Sequence, residues 1–286
     1  MKASSTQRLQ SLAQTPPFDW PEDARPLLLG VLRDRGATED DRILAAELSG
    51  CTVVHDDEVA RALLTIAGSD REAVLLRSRA VIALGPGLEL CETLGFDDPD
   101  DLPLQPATFD DVQQTLRTLY VDADIPKLLR RKALEASVRA PQGWHPEAVR
   151  AAFASADEEW RLTAVFGMRF VEGFEQEILR SLTSPSEDVQ AEAMFGVAAW
   201  GLEAAWPQVL GVVQAKVTER LLLLAAIEAV GALRPAEAEE LLAPLAQLGD
   251  EEIDEAVAEA VAMQEFDEEG DEKGLDGDGP VGGPLN

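Results

Sequence analysis

Apolar residues recur along this chain at helical spacing, and breaks in that spacing divide the chain into pairs of helices. In residues 57–67, Leu63 and Ile66 belong to one apolar face, as expected of a helix with one buried side. Gly, Ser and Asp at 68–70 break the pattern, and a second apolar helix is predicted over 71–84. The pair ends at a Gly-Pro-Gly sequence, which is a typical stop signal for a helix.

The same pattern predicts six further helix pairs. They are 24–34 with 39–49, 109–120 with 125–139, 146–154 with 158–171, 174–182 with 186–200, 203–214 with 218–233, and 235–247 with 250–264. Several of the turns carry Asp or Ser followed by an acid, which favours the positive end of the next helix. The chain is rich in Ala and Leu and only 5% aromatic, a composition that suits helices better than strands.

A small residue lies near the middle of each predicted second helix, and we call these residues the anchors. They are Ala45, Ala80, Ala133, Ala164, Ala193, Ala226 and Ala256. Six of the anchors follow the preceding one by 35, 53, 31, 29, 33 and 30 residues. A period near 30 is typical of a repeat array, and small residues let neighbouring helices approach closely. We therefore predict an all-α fold, a right-handed α-solenoid of about seven antiparallel helix pairs.

The array has one irregular step and two ends of different composition. The 53-residue step indicates an insertion at 87–107, an extra helix followed by an acidic loop, and such insertions often lie on a binding face. Residues 1–20 are predicted to be a mobile segment and 21–264 the array. Residues 265–286 are rich in Asp, Glu and Gly and are predicted to be a disordered tail.

The charge of the chain limits the classes of partner that it can bind. The formal net charge is −30, and residues 235–286 hold 17 acids against one base, Lys273. Such a surface repels nucleic-acid phosphates and anionic membranes. The start of the chain has no secretory h-region and no apolar run is long enough to cross a membrane. With two cysteines far apart in sequence, these features predict a cytoplasmic protein.

Arginine precedes the first four anchors by three residues, as Arg42, Arg77, Arg130 and Arg161. One interpretation is a structural ladder, in which each arginine binds an acid or a carbonyl of a neighbouring turn. The other is a basic stripe on the inner surface that binds an anion or an acidic peptide. The residues expected to contact a partner combine this stripe with the insertion. They are Arg77, Arg130, Arg131, Lys132, Arg161, Phe96, Asp97 and Asp98.

Other residue types offer little chemistry. Trp144, Trp160, Trp200 and Trp206 are expected mostly to fill the core, although an exposed one would suit a binding hot spot. His55 and His145 are the only histidines and form no His-Glu pair that could hold iron. Cys51 near His55 is interpreted as incidental, and the acidic residues from Asp267 to Asp278 lack the glycine of a calcium loop. No catalytic residue, metal or cofactor is predicted.

The first repeats share an acidic turn, an apolar residue, Arg, Ala three residues later, and often a small residue three residues beyond. These appear as Asp70, Leu76, Arg77, Ala80 and Ala83, as Asp124, Leu129, Arg130, Ala133 and Ala136, and as Asp157, Trp160, Arg161, Ala164 and Gly167. With this pattern, residues 24–264 resemble HEAT repeats, and more closely the bacterial type grouped with phycobilisome-lyase-like repeats. The later repeats depart from it, since Gln190 replaces the arginine.

The absence of a catalytic constellation favours a non-enzymatic scaffold that holds a protein partner on its concave face, and we expect a monomer. The resemblance to bilin lyases implies the alternative of a lyase or chaperone-like lyase subunit that acts on a protein-attached tetrapyrrole. A second alternative, DNA binding as in basic HEAT-like repair proteins, conflicts with the net charge of −30.

Overall fold

The computed structural model describes residues 4–96, 102–215, 219–247 and 249–274, and in these ranges the regular structure is helical, with no strand. The helices belong to two compact units, unit 1 within residues 1–171 and unit 2 within residues 172–286. Within each unit, consecutive helices pair and the pairs stack. Each helix buries one apolar face against its neighbours, so that the core of a unit is shared by successive pairs.

Unit 1 contains ten α-helices in the part of the chain that is described. They are α1 (Ser5–Ala13), α2 (Ala24–Arg33), α3 (Glu39–Leu48), α4 (Asp57–Ala67), α5 (Val74–Ile82), α6 (Gly85–Leu94), α7 (Pro106–Val121), α8 (Lys127–Ser137), α9 (His145–Phe153) and α10 (Glu158–Met168). Helices α3, α5, α8 and α10 contact one another in that order and form one layer, while α2, α4 and α7 form the other. The extra helix α6 packs on α8.

Unit 2 repeats this arrangement with six α-helices in its described residues. They are α11 (Glu175–Ser181), α12 (Glu187–Trp200), α13 (Trp206–Val213), α14 (Arg220–Leu233), α15 (Ala238–Leu242) and α16 (Glu251–Gly274). The second helices α12, α14 and α16 pack in order, and α11, α13 and α15 each pack on the partner that follows. The predicted all-α solenoid fold is confirmed, and all seven predicted helix pairs occur within the described residues.

The small anchors lie where the second helices pack together. Six of the seven are fully buried, the exception being Ala256, which is half-buried. Three residues beyond an anchor, a Cβ added to Gly167 would lie 3.2 Å from Val149 Cγ2, and one added to Gly196 would lie 3.2 Å from Ile178 Cδ1. These distances are tighter than ordinary contacts, so small residues are required here by the neighbouring helix rather than by a turn.

Aspartates at the starts of helices also join successive repeats. The Asp157 carboxylate accepts the Glu159 main-chain N–H at 3.0 Å and binds Lys127 Nζ at 2.8 Å. In unit 2, Asp250 accepts the Glu252 N–H at 3.2 Å and binds Arg220 Nη1 at 2.6 Å. In both cases the base stands thirty residues earlier, at the first position of the preceding second helix. One side chain therefore caps its own helix and links it to the previous one.

The N-terminal segment differs from the prediction of a mobile arm over 1–20. Residues Ser5–Ala13 form α1, which starts with a capping box between Ser4 and Gln7 and buries Leu9 and Leu12. Trp20 Nε1 donates to the Leu12 carbonyl at 3.0 Å. A helix with only two buried leucines on a polar surface gives a weak hydrophobic pattern, which is why sequence reasoning missed it.

Helix α5 begins later than predicted, at Val74. Residues 71–73 stay outside the helix, and Glu72 instead binds Arg42 of the preceding pair. The Gly-Pro-Gly sequence follows α5 as predicted, but it also opens the next helix: Gly85 is the first residue of α6 and Pro86 stands in its first turn. Proline is well tolerated there because that N–H has no intrahelical partner.

The predicted disordered tail over 265–286 is corrected in its first part, because α16 continues through Gly274. Its glutamates are good helix formers. Residues 275–286 lie outside the described ranges. No described helix is both long and apolar enough to span a membrane.

Candidate functional site

Three arginines of the predicted row bind main-chain carbonyls of their own helix pair. Each donates to the carbonyl ten residues earlier, at the end of the first helix of the pair. The bonds are Arg42 Nη2 to Leu32 O at 3.2 Å, Arg77 Nε to Ala67 O at 2.9 Å and Arg130 Nε to Tyr120 O at 2.9 Å. The last carbonyls of a helix lack intrahelical partners, so these arginines cap the first helices. This geometry favours the structural interpretation for these three residues.

Arg42 also joins two repeats through an ion pair. Its two Nη atoms bind the Glu72 carboxylate at 2.6 and 3.0 Å, and the Arg42 residue is only 7% exposed. The hydrogen bonds from Arg42 hold the pKa of Glu72 below its ordinary value. The two parallel hydrogen bonds make this a bidentate pair, the strongest arrangement available to these side chains.

Arg131 lies in a buried polar network between α8 and α10. Its Nε donates to Thr163 Oγ1 at 3.0 Å, and its Nη1 binds Glu159 at 3.0 Å. The Thr163 hydroxyl donates to Glu135 at 2.7 Å, and the same glutamate pairs with Lys132. Each member of the network has a partner, as buried charges require.

The structure corrects two of the expected partner contacts, Arg77 and Arg131. Both are 6% exposed and bind groups of the chain itself, so neither side chain forms an accessible surface. Lys132 is half-buried and paired with Glu135. Spacing along the sequence does not distinguish an arginine that lies between helices from one that lies on the surface.

The remaining predicted residues are scattered. Arg161 is exposed and makes no ion pair within the described part of the chain. The hydrogen bond to a carbonyl ten residues earlier is therefore made by the first three arginines of the row and not by Arg161. Phe96 packs edge-on against Phe109 with ring centroids 5.0 Å apart and stays 38% exposed. Asp97 and Asp98 lie outside the described residues. Of the eight predicted partner contacts, Arg130 is the one that lines a groove described below.

That groove lies among helices α7 to α10 of unit 1 and has a volume of about 190 Å³. We call it the aromatic groove, and its lining residues are Tyr120, Arg130, Ala151, Ala152, Ser155 and Trp160. The guanidinium carbon of Arg130 lies 5.7 Å from the centroid of the Trp160 ring, within the range of a cation–π contact. The Tyr120 ring meets Trp160 edge-on, with centroids 6.2 Å apart.

The polar groups of the aromatic groove are held in place by the fold. The bond from Arg130 Nε to the Tyr120 carbonyl fixes the guanidinium plane, and in the described chain the two Nη atoms of Arg130 have no hydrogen-bond partner. Burial raises the pKa of the Tyr120 phenol, so this group stays neutral at ordinary pH. The groove therefore offers an aromatic face beside one positively charged fork, a combination that suits an apolar side chain next to a carboxylate.

The tryptophans do not fill the core as predicted. All four are only half-buried. Trp144 stacks on Tyr120 with centroids 5.3 Å apart, and Arg117 lies 5.8 Å from the Trp144 ring. In unit 2, Arg234 lies 4.9 Å from the ring of Trp206. Each of these rings therefore keeps part of its surface exposed to solvent.

Both histidines are buried and serve the structure. His145 Nδ1 accepts the Gln142 N–H at 2.7 Å, and its Nε2 lies 3.0 Å from Ser137 Oγ. Burial lowers the pKa of His145 to about 4, so the ring is neutral at pH 7. His55 donates from Nδ1 to the Ser49 carbonyl at 3.0 Å, and burial lowers its pKa as well. The described residues contain no group of three or more His, Cys, Asp or Glu arranged to hold a metal ion.

Comparison with known proteins gives structural matches only. No family model matches the chain, and no curated protein matches it. Human deoxyhypusine hydroxylase, solved in complex with glycerol, is 17% identical over 92% of this chain and 97% of its own, with a TM-score of 0.41. YibA of E. coli is 16% identical over 93% of this chain and 98% of its own, with a TM-score of 0.42. An engineered protein is 17% identical over 86% of this chain and 98% of its own, with a TM-score of 0.35.

These matches correct one expectation and leave another without support. The prediction of a non-enzymatic protein is contradicted by deoxyhypusine hydroxylase, an enzyme among the structural matches. At 17% identity no activity carries over to this chain. The resemblance to phycobilisome-lyase-like repeats is not confirmed, since no family model matches.

Sequence reasoning missed most of the aromatic groove. Tyr120 stands on α7 and Trp160 on α10, about forty residues apart in the chain. One available signal is that Tyr120, the only tyrosine, stands ten residues before Arg130, the same separation that the other ladder bonds have.

Proposed function

We propose that this protein binds a protein partner, and that the aromatic groove receives one anchoring side chain of that partner. The observation that carries the proposal is the Trp160 face beside the unpaired fork of Arg130. Tryptophan, tyrosine and arginine are the residues most enriched at the energetic centres of protein interfaces. Here they converge on one groove at the surface of unit 1.

The size of the groove supports a side chain over a small molecule. At about 190 Å³ it is smaller than the roughly 300–1,000 Å³ of sites that enclose drug-sized ligands. It is large enough for one leucine or phenylalanine side chain. Such a residue would lie on the Trp160 face, and a carboxylate near it in the partner would reach the Nη atoms of Arg130.

Charge constrains the rest of the partner. The net charge of −30 favours encounters with a protein whose wider surface is basic. We therefore propose a basic partner that carries a local pair of an apolar and an acidic residue. The monomeric state, the cytoplasmic location and the lack of nucleic-acid binding remain predictions.

The proposal can be tested with a variant that fills the groove without removing a contact. Ala151 lines the groove, lies on α9 and is exposed, so Ala151→Trp should occupy the site and leave the fold intact. A displayed library of random peptides would be selected on the wild-type protein and on this variant. We expect peptides with adjacent apolar and acidic residues to be enriched on the wild type and to bind Ala151→Trp at least about tenfold more weakly.

Ala199→Trp is the matched control, because Ala199 is also an exposed alanine of a helix, in unit 2. This variant should bind the selected peptides as the wild type does. Selection that yields no shared pattern, or peptides that bind Ala151→Trp as well as the wild type, would overturn the proposed role of the groove.

A further inference from the structure

A second cavity in unit 1 is lined by an unusual number of arginines. It has a volume of about 440 Å³ and lies between the pairs α2/α3 and α4/α5. Arg33, Arg35, Arg42 and Arg61 line it, against one acid, Glu72. In the whole chain, acids outnumber bases by 54 to 24, whereas in this lining bases outnumber acids. We call it the arginine cavity.

The arginines of this cavity retain unused donors. Arg42 binds Glu72 through both Nη atoms, yet its Nε is buried and has no hydrogen-bond partner among the described residues. Arg33 binds Glu58 at 2.7 Å, and Arg61 binds Asp57 at 2.9 Å and the Thr108 hydroxyl at 2.8 Å. None of these three partners lines the cavity. Each of these three arginines therefore keeps at least one guanidinium N–H without an acceptor in the described part of the chain.

Of the four arginines, Arg35 has the most guanidinium N–H groups without an acceptor within the residues that the structure describes. It is exposed on the turn after α2 and forms no ion pair within the described ranges. Its charge is nonetheless close enough to Glu72 to contribute to the lowered pKa of that carboxyl. The whole guanidinium of Arg35 is therefore available at the entrance, next to an acid that Arg42 already neutralises.

The rest of the lining is partly apolar and partly hydroxyl. Leu32 of α2 and Ala62 and Ile66 of α4 supply carbon surface, and Thr65 and Ser69 add hydroxyl groups. A site of this volume falls in the range of small-molecule sites, unlike the aromatic groove. Arginine forks fit phosphate and carboxylate oxygens in pairs, so the occupant that suits this lining is anionic at one end and apolar at the other.

We propose that the arginine cavity binds a small organic molecule that carries a multivalent oxyanion, either a phosphate group or several carboxylates. Arg35 and Arg61 would contact the anion, and Arg42 would add positive charge to the lining. The arginine cavity is a different site from the aromatic groove, since no residue lines both.

Titration calorimetry of the full chain at low ionic strength with pyrophosphate and with citrate tests the proposal. We expect saturable binding of at least one of the two, weakened about tenfold or more by Arg35→Ala. Because Arg35 is exposed and unpaired, its loss should leave the fold intact. Binding of pyrophosphate alone would identify a phosphate site, and binding of citrate alone a polycarboxylate site.

Arg161→Ala is the matched control, because it removes one exposed arginine that makes no ion pair in the described chain. Its affinity for either probe should equal that of the wild type. The absence of saturable binding to the wild type would overturn the proposal. Equal weakening by Arg35→Ala and Arg161→Ala, or none by Arg35→Ala, would also overturn it, since the anion would then respond to overall charge or to another site.

Discussion

The two units fill the same repeat position in different ways. In unit 1 the residue three before the anchor is an arginine, and Arg42, Arg77 and Arg130 each cap the preceding helix. In unit 2 the position holds Gln190, whose Nε2 donates to the Ser184 carbonyl at 2.5 Å, and then Leu223, which is buried. The position therefore changes from charged to neutral to apolar while the helices continue to stack.

This difference separates what the stacking needs from what unit 1 adds to it. Both units keep buried small anchors, and both keep a base that binds an N-cap aspartate thirty residues later, Lys127 with Asp157 and Arg220 with Asp250. Those features belong to the repeat itself. An arginine three residues before the anchor occurs in unit 1 alone, and two of these arginines, Arg42 and Arg130, line the arginine cavity and the aromatic groove.

The largest expected effect comes from replacing one of the arginines that cap a first helix. Arg42→Met should lower the free energy of unfolding by about 3 kcal/mol or more, because it leaves the Glu72 carboxylate and the Leu32 carbonyl without their donor. Urea denaturation followed by circular dichroism measures the loss. Methionine keeps the length of the side chain, so the effect reports the lost charge and hydrogen bonds rather than a cavity.

Leu223→Met is the matched change in unit 2, at the equivalent and buried position. A swap of similar volume should cost less than about 1.5 kcal/mol. If both variants lost the same stability, the ion pair of Arg42 would contribute nothing beyond packing, and the contrast between the units would have no energetic meaning.

Acid should destabilise unit 1 before unit 2, because both histidines lie in unit 1. His145 binds a proton near pH 6.5 when unfolded but only near pH 4 when folded. Between these values the unfolded state holds the extra proton, so stability is full above pH 6.5 and falls as the pH decreases. The loss from His145 alone approaches about 3 kcal/mol at pH 4, and the lowered pKa of His55 acts in the same direction.

Hydrogen exchange read by mass spectrometry at pH 7 and pH 5, corrected for intrinsic rates, would locate this effect. Peptides of α8 and α9 should lose protection at pH 5, whereas those of α12 and α14 should not, since most carboxylates are still ionised there. His145→Gln should remove part of the pH dependence. Equal loss in both units would assign the acid sensitivity to carboxylates instead.

Most of the fold could be predicted because helix pairs leave local signals. The predicted bounds 24–34, 57–67 and 158–171 lie within three residues of α2, α4 and α10. Helix α1 was missed because it buries only Leu9 and Leu12, too few positions for a clear period. The late start of α5 depends on Glu72 binding Arg42 thirty residues away, which no local pattern encodes.

The candidate site was less predictable because its contacts also join residues that are far apart in the chain. The sequence identified Arg130 but also Arg77, which shares its spacing, and Arg131, which follows it directly, and both of these are buried. What distinguishes Arg130 is the Trp160 ring from the next pair. That contact depends on how two hairpins pack, and equal spacing along the chain carries no information about it.

The anchors test the feature that both units share. Ala164 and Ala193 are both fully buried, with 0% accessible surface. Ala164→Leu and Ala193→Leu should each lower the free energy of unfolding by about 1–3 kcal/mol, because the added methylenes overpack the contact between second helices. Thermal and urea unfolding measure the loss. Ala199→Leu, at an exposed position of α12, is the control and should change stability little.

The smallest expected effect concerns the intermediate member of the series. Gln190→Leu removes one neutral hydrogen bond, the one to the Ser184 carbonyl, and should cost about 1 kcal/mol in urea unfolding. The loss should be well below that of Arg42→Met, since glutamine caps a carbonyl but neutralises no acid. A loss as large as that of Arg42→Met would mean that the capping bond, rather than the charge, stabilises this position. The units would then differ in residue type at the position but not in how it stabilises the stack.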